Sequence, residues 1–108
     1  NVKDYGLALS ELHQATQFAG EVNNNYAIAV FNVMQISCYY GLEDYEKARE
    51  LALQTLESIK EHQYLYWETK LKVQLLLLDM INPEIPLRKI LREAHQLSAV
   101  CKENRYSY

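Results

Sequence analysis

Residues 44–61 read Asp44-Tyr45-Glu46-Lys47-Ala48-Arg49-Glu50-Leu51-Ala52-Leu53-Gln54-Thr55-Leu56-Glu57-Ser58-Ile59-Lys60-Glu61, and they decide the fold. Tyr45, Ala48, Ala52, Leu56 and Ile59 recur at spacings of three and four, which lines one face of an α-helix with apolar side chains. Glu46, Lys47, Glu50, Glu57 and Lys60 fall on the opposite face, where charge meets water. Asp44 stands where a carboxylate accepts from the free N–H groups of a first helical turn and suits the positive end of the helix dipole.

The same opening occurs 40 residues earlier. Asp4-Tyr5-x-x-Ala8 matches Asp44-Tyr45-x-x-Ala48, and in that register Leu12 meets Ala52, Ala15 meets Thr55, and Tyr26 meets Tyr66. A fainter third copy places Leu87, Leu91 and Ala94 at an offset of 39 from Ala48, Ala52 and Thr55, and Tyr106 at 40 from Tyr66. A shared register along two helices marks a structural repeat.

Turn residues divide the chain. Asn23-Asn24-Asn25 breaks a first helix from a second, Gly41 closes the second, Glu61-His62-Gln63 follows the third, and Asn82-Pro83-Glu84-Ile85-Pro86 precedes the fifth. Pro86 suits the first turn of that fifth helix. The spacing predicts helices over 4–21, 25–40, 44–61, 64–81 and 86–103, with a sixth starting at about 104. Turns this short make successive helices antiparallel neighbours. With only three glycines and two prolines in 108 residues, a sheet-based fold lacks the turn residues it needs. The expected class is all-α, one domain over 1–108.

The stretch from Asp44 to Glu50 resembles the opening of the second helix of a tetratricopeptide repeat. In that family an acidic residue and an aromatic lead into the helix, and small residues follow at seven-residue spacing, as Ala8 with Ala15 and Ala48 with Thr55 do here. Small side chains let the two helices of a hairpin approach closely. Phe31-Asn32-Val33-Met34 is similar to the first-helix core of such a repeat, and Gly41 to its turn glycine. The family's usual repeat is 34 residues, whereas this one is about 40. Met34 stands where the family has Gly or Ala, two extra residues follow Gly41 before Asp44, and the third copy lacks the acidic-aromatic lead. Those departures are similar to the long-repeat relatives, found in bacterial regulators and in large eukaryotic scaffolds. The resemblance implies antiparallel hairpins stacked as a right-handed solenoid of about two and a half repeats. The chain opens on Asn1-Val2 and stops at Tyr106-Ser107-Tyr108 as a new pattern begins, as a segment of a longer array would.

Charge narrows the function. The net charge is −3; residues 1–84 carry six Lys/Arg against twelve Asp/Glu, and residues 85–108 carry five against two. An acidic body is a poor partner for a phosphate backbone, so direct nucleic-acid binding is not expected. The basic tail (Arg88, Lys89, Arg92, Lys102, Arg105) reads as the solvated face of one helix, with a local anion patch as the other reading. Cys38 and Cys101 form no CxxC, and read as free, buried thiols of a reducing, cytoplasmic compartment; a single bridge stays open. The apolar run Leu71–Ile81 is interrupted by Lys72, Gln74 and Asp79 and falls short of the ~20 residues that a membrane span requires.

Catalytic patterns are missing from the sequence. His13, His62 and His95 have no His, Cys or carboxylate at ligand spacing, and read as solvated or hydrogen-bonded surface histidines. No nucleophile elbow or glycine-rich phosphate loop occurs. The carboxylate groups Glu43/Asp44/Glu46 and Glu57/Glu61 sit at helix starts and on polar faces, where dipole and i, i+4 pairing account for them. No cofactor, metal or enzymatic activity is expected.

The nine tyrosines are the unusual feature. Tyr26, Tyr66 and Tyr106 recur at first-helix starts and read as packing, whereas Tyr39-Tyr40 and Tyr64, Tyr66, Trp67 exceed what one stripe absorbs. Exposed Tyr and Trp are common binding anchors. In solenoids the first helices of each pair line the concave face, the usual ligand site. The residues expected there are Asn25, Asn32, Gln35 and Tyr39 from the second helix, and Tyr64, Trp67, Glu68, Lys70 and Gln74 from the fourth. A lining of Asn, Gln, Tyr and Trp suits a peptide held through its backbone amides, or a partner helix. Lys70 and Lys72 are too few for a carboxylate clamp. The expected function is a non-catalytic protein- or peptide-binding scaffold. The alternative is an effector- or peptide-sensing domain of a bacterial transcriptional regulator. Self-association through the apolar end faces of the stack is compatible with both.

Overall fold

The first two helix connections are built alike, and they set the architecture. After α1 (Val2–Glu21) Asn23 adopts φ 56°, its N–H donates to Gly20 O (3.2 Å), and Asn24 N–H donates to Ala19 O (2.8 Å). After α2 (Asn25–Gly41) Glu43 adopts φ 61°, its N–H donates to Tyr40 O (3.0 Å), and Asp44 N–H donates to Tyr39 O (2.9 Å). Both are Schellman closures. The last residue of each closure caps the next helix: Asn24 Oδ1 accepts from Ala27 N–H (3.0 Å) and Asp44 Oδ1 from Lys47 N–H (3.3 Å). Gly41 is therefore not the left-handed residue of its turn; Glu43 is. Gly41 instead lies against the tip of the Tyr5 ring, which a Cβ at this position would overlap.

The computed structural model describes the backbone of residues 2–62 and 64–104, and the side chains among them except those of 2, 3, 101, 103 and 104. The remaining elements are α3 (Tyr45–Ile59), which tightens into a 3₁₀ turn at Lys60–His62, α4 (Leu65–Met80) and α5 (Leu87–Asn104). Among the described residues there is no strand, so the chain is all-α as expected. The helices match the sequence map closely, with three differences. α1 already begins at Val2, so Asp4 lies within the first turn rather than ahead of it, where the dipole argument still applies. α5 runs on through Asn104, where a sixth helix was expected to begin, and residues 105–108, with Tyr106, lie outside the described residues. The third copy also keeps a different register. α3 begins at 45 and α5 at 87, an offset of 42 rather than 39, because the connection Ile81–Pro86 is three residues longer than Leu42–Asp44. At offset 42 the stripe Ala48, Ala52, Thr55 corresponds to Ile90, Ala94, Leu97, the half-buried side of α5, whereas Leu87 and Leu91 are exposed.

Each helix packs on the next, and α2 also packs on α4. α1 and α2 are antiparallel, since His13 meets Tyr39 while Thr16 meets Gln35. α2 and α4 are parallel, since Tyr26 meets Trp67 and Val33 meets Gln74, both 41 residues apart. The core lies among α2, α3 and α4: Ala29, Val33, Ile36, Ala48, Ala52, Ile59, Leu71 and Leu78. Ala29, Ala48 and Ala52 are almost wholly buried, as close helix approach requires. The result measures 40 × 31 × 22 Å, and its radius of gyration of 14.5 Å exceeds the about 13 Å of a compact chain of this length. No described helix is long and apolar enough to cross a membrane.

Candidate functional site

Two surfaces of α4 are open, one beside α2 and the other between α3 and α5. The α2–α4 surface is set by residues that recur along both helices. Tyr26 and Tyr66 hold equivalent places at the starts of α2 and α4, and with Met34 and Leu77 farther along they are 40–49 % exposed. At its N-terminal end Tyr26 anchors an aromatic cluster. Trp67 Nε1 donates to Tyr26 Oη (2.9 Å), and Tyr64 meets the Tyr26 ring edge-on at 5.3 Å. Tyr66 meets Trp67 edge-on at 5.0 Å, and His62 stacks on Tyr64. Such pairs hold their rings in fixed orientation.

Farther along, Gln74 bridges the helices. Its Nε2 donates to Val33 O (3.3 Å) and Ser37 Oγ (3.0 Å), which fixes the amide, and its Oε1 is buried without a partner. An unmet buried acceptor costs about 1–3 kcal/mol. Beside it a notch of about 110 Å³, lined by Ile36, Ser37, Tyr40, Gln74, Leu77 and Leu78, has room for one apolar side chain.

The residues expected from the sequence divide. Tyr64, Trp67 and Gln74 belong to this surface, and Lys70 lies one turn from both Tyr66 and Gln74 on the same helix. Glu68 does not belong to it. It turns to the other side of α4, where it pairs with Lys72 (3.5 Å). The residues expected on α2 lie away from this surface. Gln35 is buried, its Nε2 donating to Thr16 Oγ1 of α1 (2.9 Å), and Tyr39 lies between His13 of α1 (3.4 Å) and Lys47 of α3 (5.9 Å from ring centre to Nζ). Asn32 precedes Gln35 by three residues and Tyr39 by seven, so it shares their side of the helix, half-buried, and exposed Asn25 lies seven residues before Asn32. The residues that α2 does supply are Tyr26, Met34 and Ser37. Tyr26 packs against Tyr64 and Trp67, as its sequence position suggests, and is half-exposed as well.

The second surface is a groove of about 550 Å³ between α3, α4 and α5. At one end Asp79, buried on α4, is paired with Arg49 of α3. Lys89 and Glu93 of α5 approach at 3.9 Å on the same side. Toward the other end the walls are Leu53, Leu65, Leu97 and Val100. Sequence reasoning missed this site. Its one local signal was Asp79, a carboxylate inside the apolar run that ends at Ile81, which demands a buried partner.

Other groups are structural. Cys38 is free and buried, and burial raises its thiol above the usual range, which keeps it protonated and inert; the Cys101 side chain lies outside the described residues. Among the described residues no three His, Cys, Asp or Glu side chains converge on one point. Arg88, Lys89, Arg92 and Lys102 are all exposed along α5, as a solvated face would be, and Arg105 lies outside the described residues. Comparison of the chain with protein-family models, with curated proteins and with solved structures finds no match.

Proposed function

We propose that the chain is a non-catalytic binding module, built from helical hairpins of tetratricopeptide type stacked as a right-handed solenoid, that holds a peptide or protein segment on its α2–α4 surface. Two α2–α4 contacts, Tyr26 with Trp67 and Val33 with Gln74, are each 41 residues apart, which supports the stacking because it nearly equals the 40-residue sequence repeat. The observation that carries the binding reading is Gln74. Its amide is held rigid with an unmet acceptor, next to a notch for one side chain and flanked by exposed Tyr66, Leu77 and Met34. An apolar side chain would fill the notch, with the Gln74 amide at its rim. The aromatic cluster offers rigid contact area at low entropic cost.

A selection of random peptides on the immobilised chain tests this. Enrichment of one motif carrying an apolar anchor, lost in Met34→Glu and Leu77→Glu and kept in Asn32→Ala, is the expected outcome. Enrichment that survives both glutamates would refute the face. A second reading, a sensing module for a small effector, draws on the half-open groove between α3, α4 and α5, whose volume falls within the range of ligand pockets.

A further inference from the structure

We propose that the exposed faces of α1 and α5 bind each other between two copies of the chain, head to tail, so that the protein assembles into short open chains. The contact lies at the two ends of the stack and is independent of the α2–α4 surface. α1 packs mainly on α2 and α5 mainly on α4, so each end helix turns one side to water. On α1 that side carries Leu7, Glu11, Phe18 and Val22, and its three apolar side chains are 55–65 % exposed. On α5 it carries Leu87, Leu91, Ser98 and Lys102, with the two leucines 68 % and 60 % exposed. Both stripes step by four, seven and four residues, a spacing that keeps side chains on one face of a helix.

Laid antiparallel, the stripes complement each other position by position. Val22 meets Leu87, Phe18 meets Leu91, the Glu11 carboxylate meets the Ser98 hydroxyl, and the Lys102 stem covers Leu7. Charge selects unlike ends over like ones. α1 carries one lysine against three carboxylates, and α5 four cations against two carboxylates. Among the described residues only Lys89 of those α5 cations is in an ion pair. Pairing α1 with α1 would set acid against acid, and pairing α5 with α5 would set Arg88, Arg92 and Lys102 against their own copies. Because the two surfaces differ, a bound pair keeps a free α1 at one end and a free α5 at the other, and growth continues. One helix laid on one helix covers less than the about 1,200 Å² of a stable complex, so the association is transient, with a Kd of about 0.1 mM and a monomer at micromolar concentration.

The test is sedimentation equilibrium of the 108-residue chain at low salt, from about 10 µM to about 1 mM, a range that brackets the expected Kd. The weight-average mass should climb from the monomer's 12.7 kDa past that of a dimer, and fall back as salt screens the charges. Phe18→Glu and Leu91→Glu each replace an exposed side chain, so the circular dichroism melt is unchanged, and each variant alone stays monomeric. Mixed in equal amounts they associate again and stop at a dimer, since the first retains a sound α5 and the second a sound α1. A wild-type chain still monomeric at the highest concentration would overturn the proposal, whether the two faces are bare or serve another protein. So would a plateau at the dimer, association that survives either glutamate alone, or a mixture that stays monomeric.

Discussion

α3 and α5 occupy the same place in successive hairpins, yet one is buried and the other is not. Ala48, Ala52 and Thr55 of α3 are 0–1 % exposed, because α2 and α4 close on the helix from both sides. On α5 the corresponding Ile90, Ala94 and Leu97 are only half-buried against α4, and Leu87 and Leu91 are 68 % and 60 % exposed. Neighbours, rather than the helix's own pattern, determine how much surface is removed from water. In stacked helices stability is approximately a sum of such neighbour terms, so the outer helices are the weak ones.

The largest contrast should appear on truncation. Leu71→Ala, at a fully buried site facing the core, is expected to cost about 3 kcal/mol or more in urea unfolding. Leu91→Ala should stay within about 0.5 kcal/mol. If the two cost the same, α5 has a neighbour not yet seen. Next comes the link between α3 and α4. Arg49→Met leaves Asp79 buried and unpaired, and should cost roughly 2 kcal/mol, discounted because Arg49 is about a third exposed. Adding Asp79→Leu should recover most of that loss; a double variant as unstable as the single one would contradict the pairing argument. The turns provide a smaller and opposite effect. Glu43→Gly should stabilise by about 1 kcal/mol, since a glutamate held at φ 61° bears a penalty that glycine avoids. The same exchange at Asn23 should change little, because asparagine tolerates that conformation. Finally, alkylation of Cys38 should be negligible in the native chain and become fast only with unfolding, as its burial requires.

The helix boundaries were legible because their causes are local. Asn24 and Asp44 cap through side chains adjacent in sequence, and each short turn permits one geometry. The register of the third copy was not, because it depends on the length of the Ile81–Pro86 connection, which contains no repeat residue to count from. The side to which each polar residue of α2 turns was harder to read. From Ala27 to Cys38 this helix is apolar on most sides, so Asn32 and Gln35 look like a polar face when read alone. Only the partner Thr16, on another helix, reveals that Gln35 is an interior hydrogen bond. α4 was read better because charges interrupt it. Even so, Glu68 and Gln74 point to opposite sides, a distinction that needs the position of α5. The groove was invisible for the same reason, since three helices form it.

The most direct test of the binding surface is an NMR shift map of the chain with peptides recovered from the random selection. The account expects the largest changes at Met34, Ser37, Tyr66, Lys70, Gln74 and Leu77, with Asn32 and Gln35 unmoved. Changes confined to α1 or α5, or failure of any peptide to be retained, would contradict it.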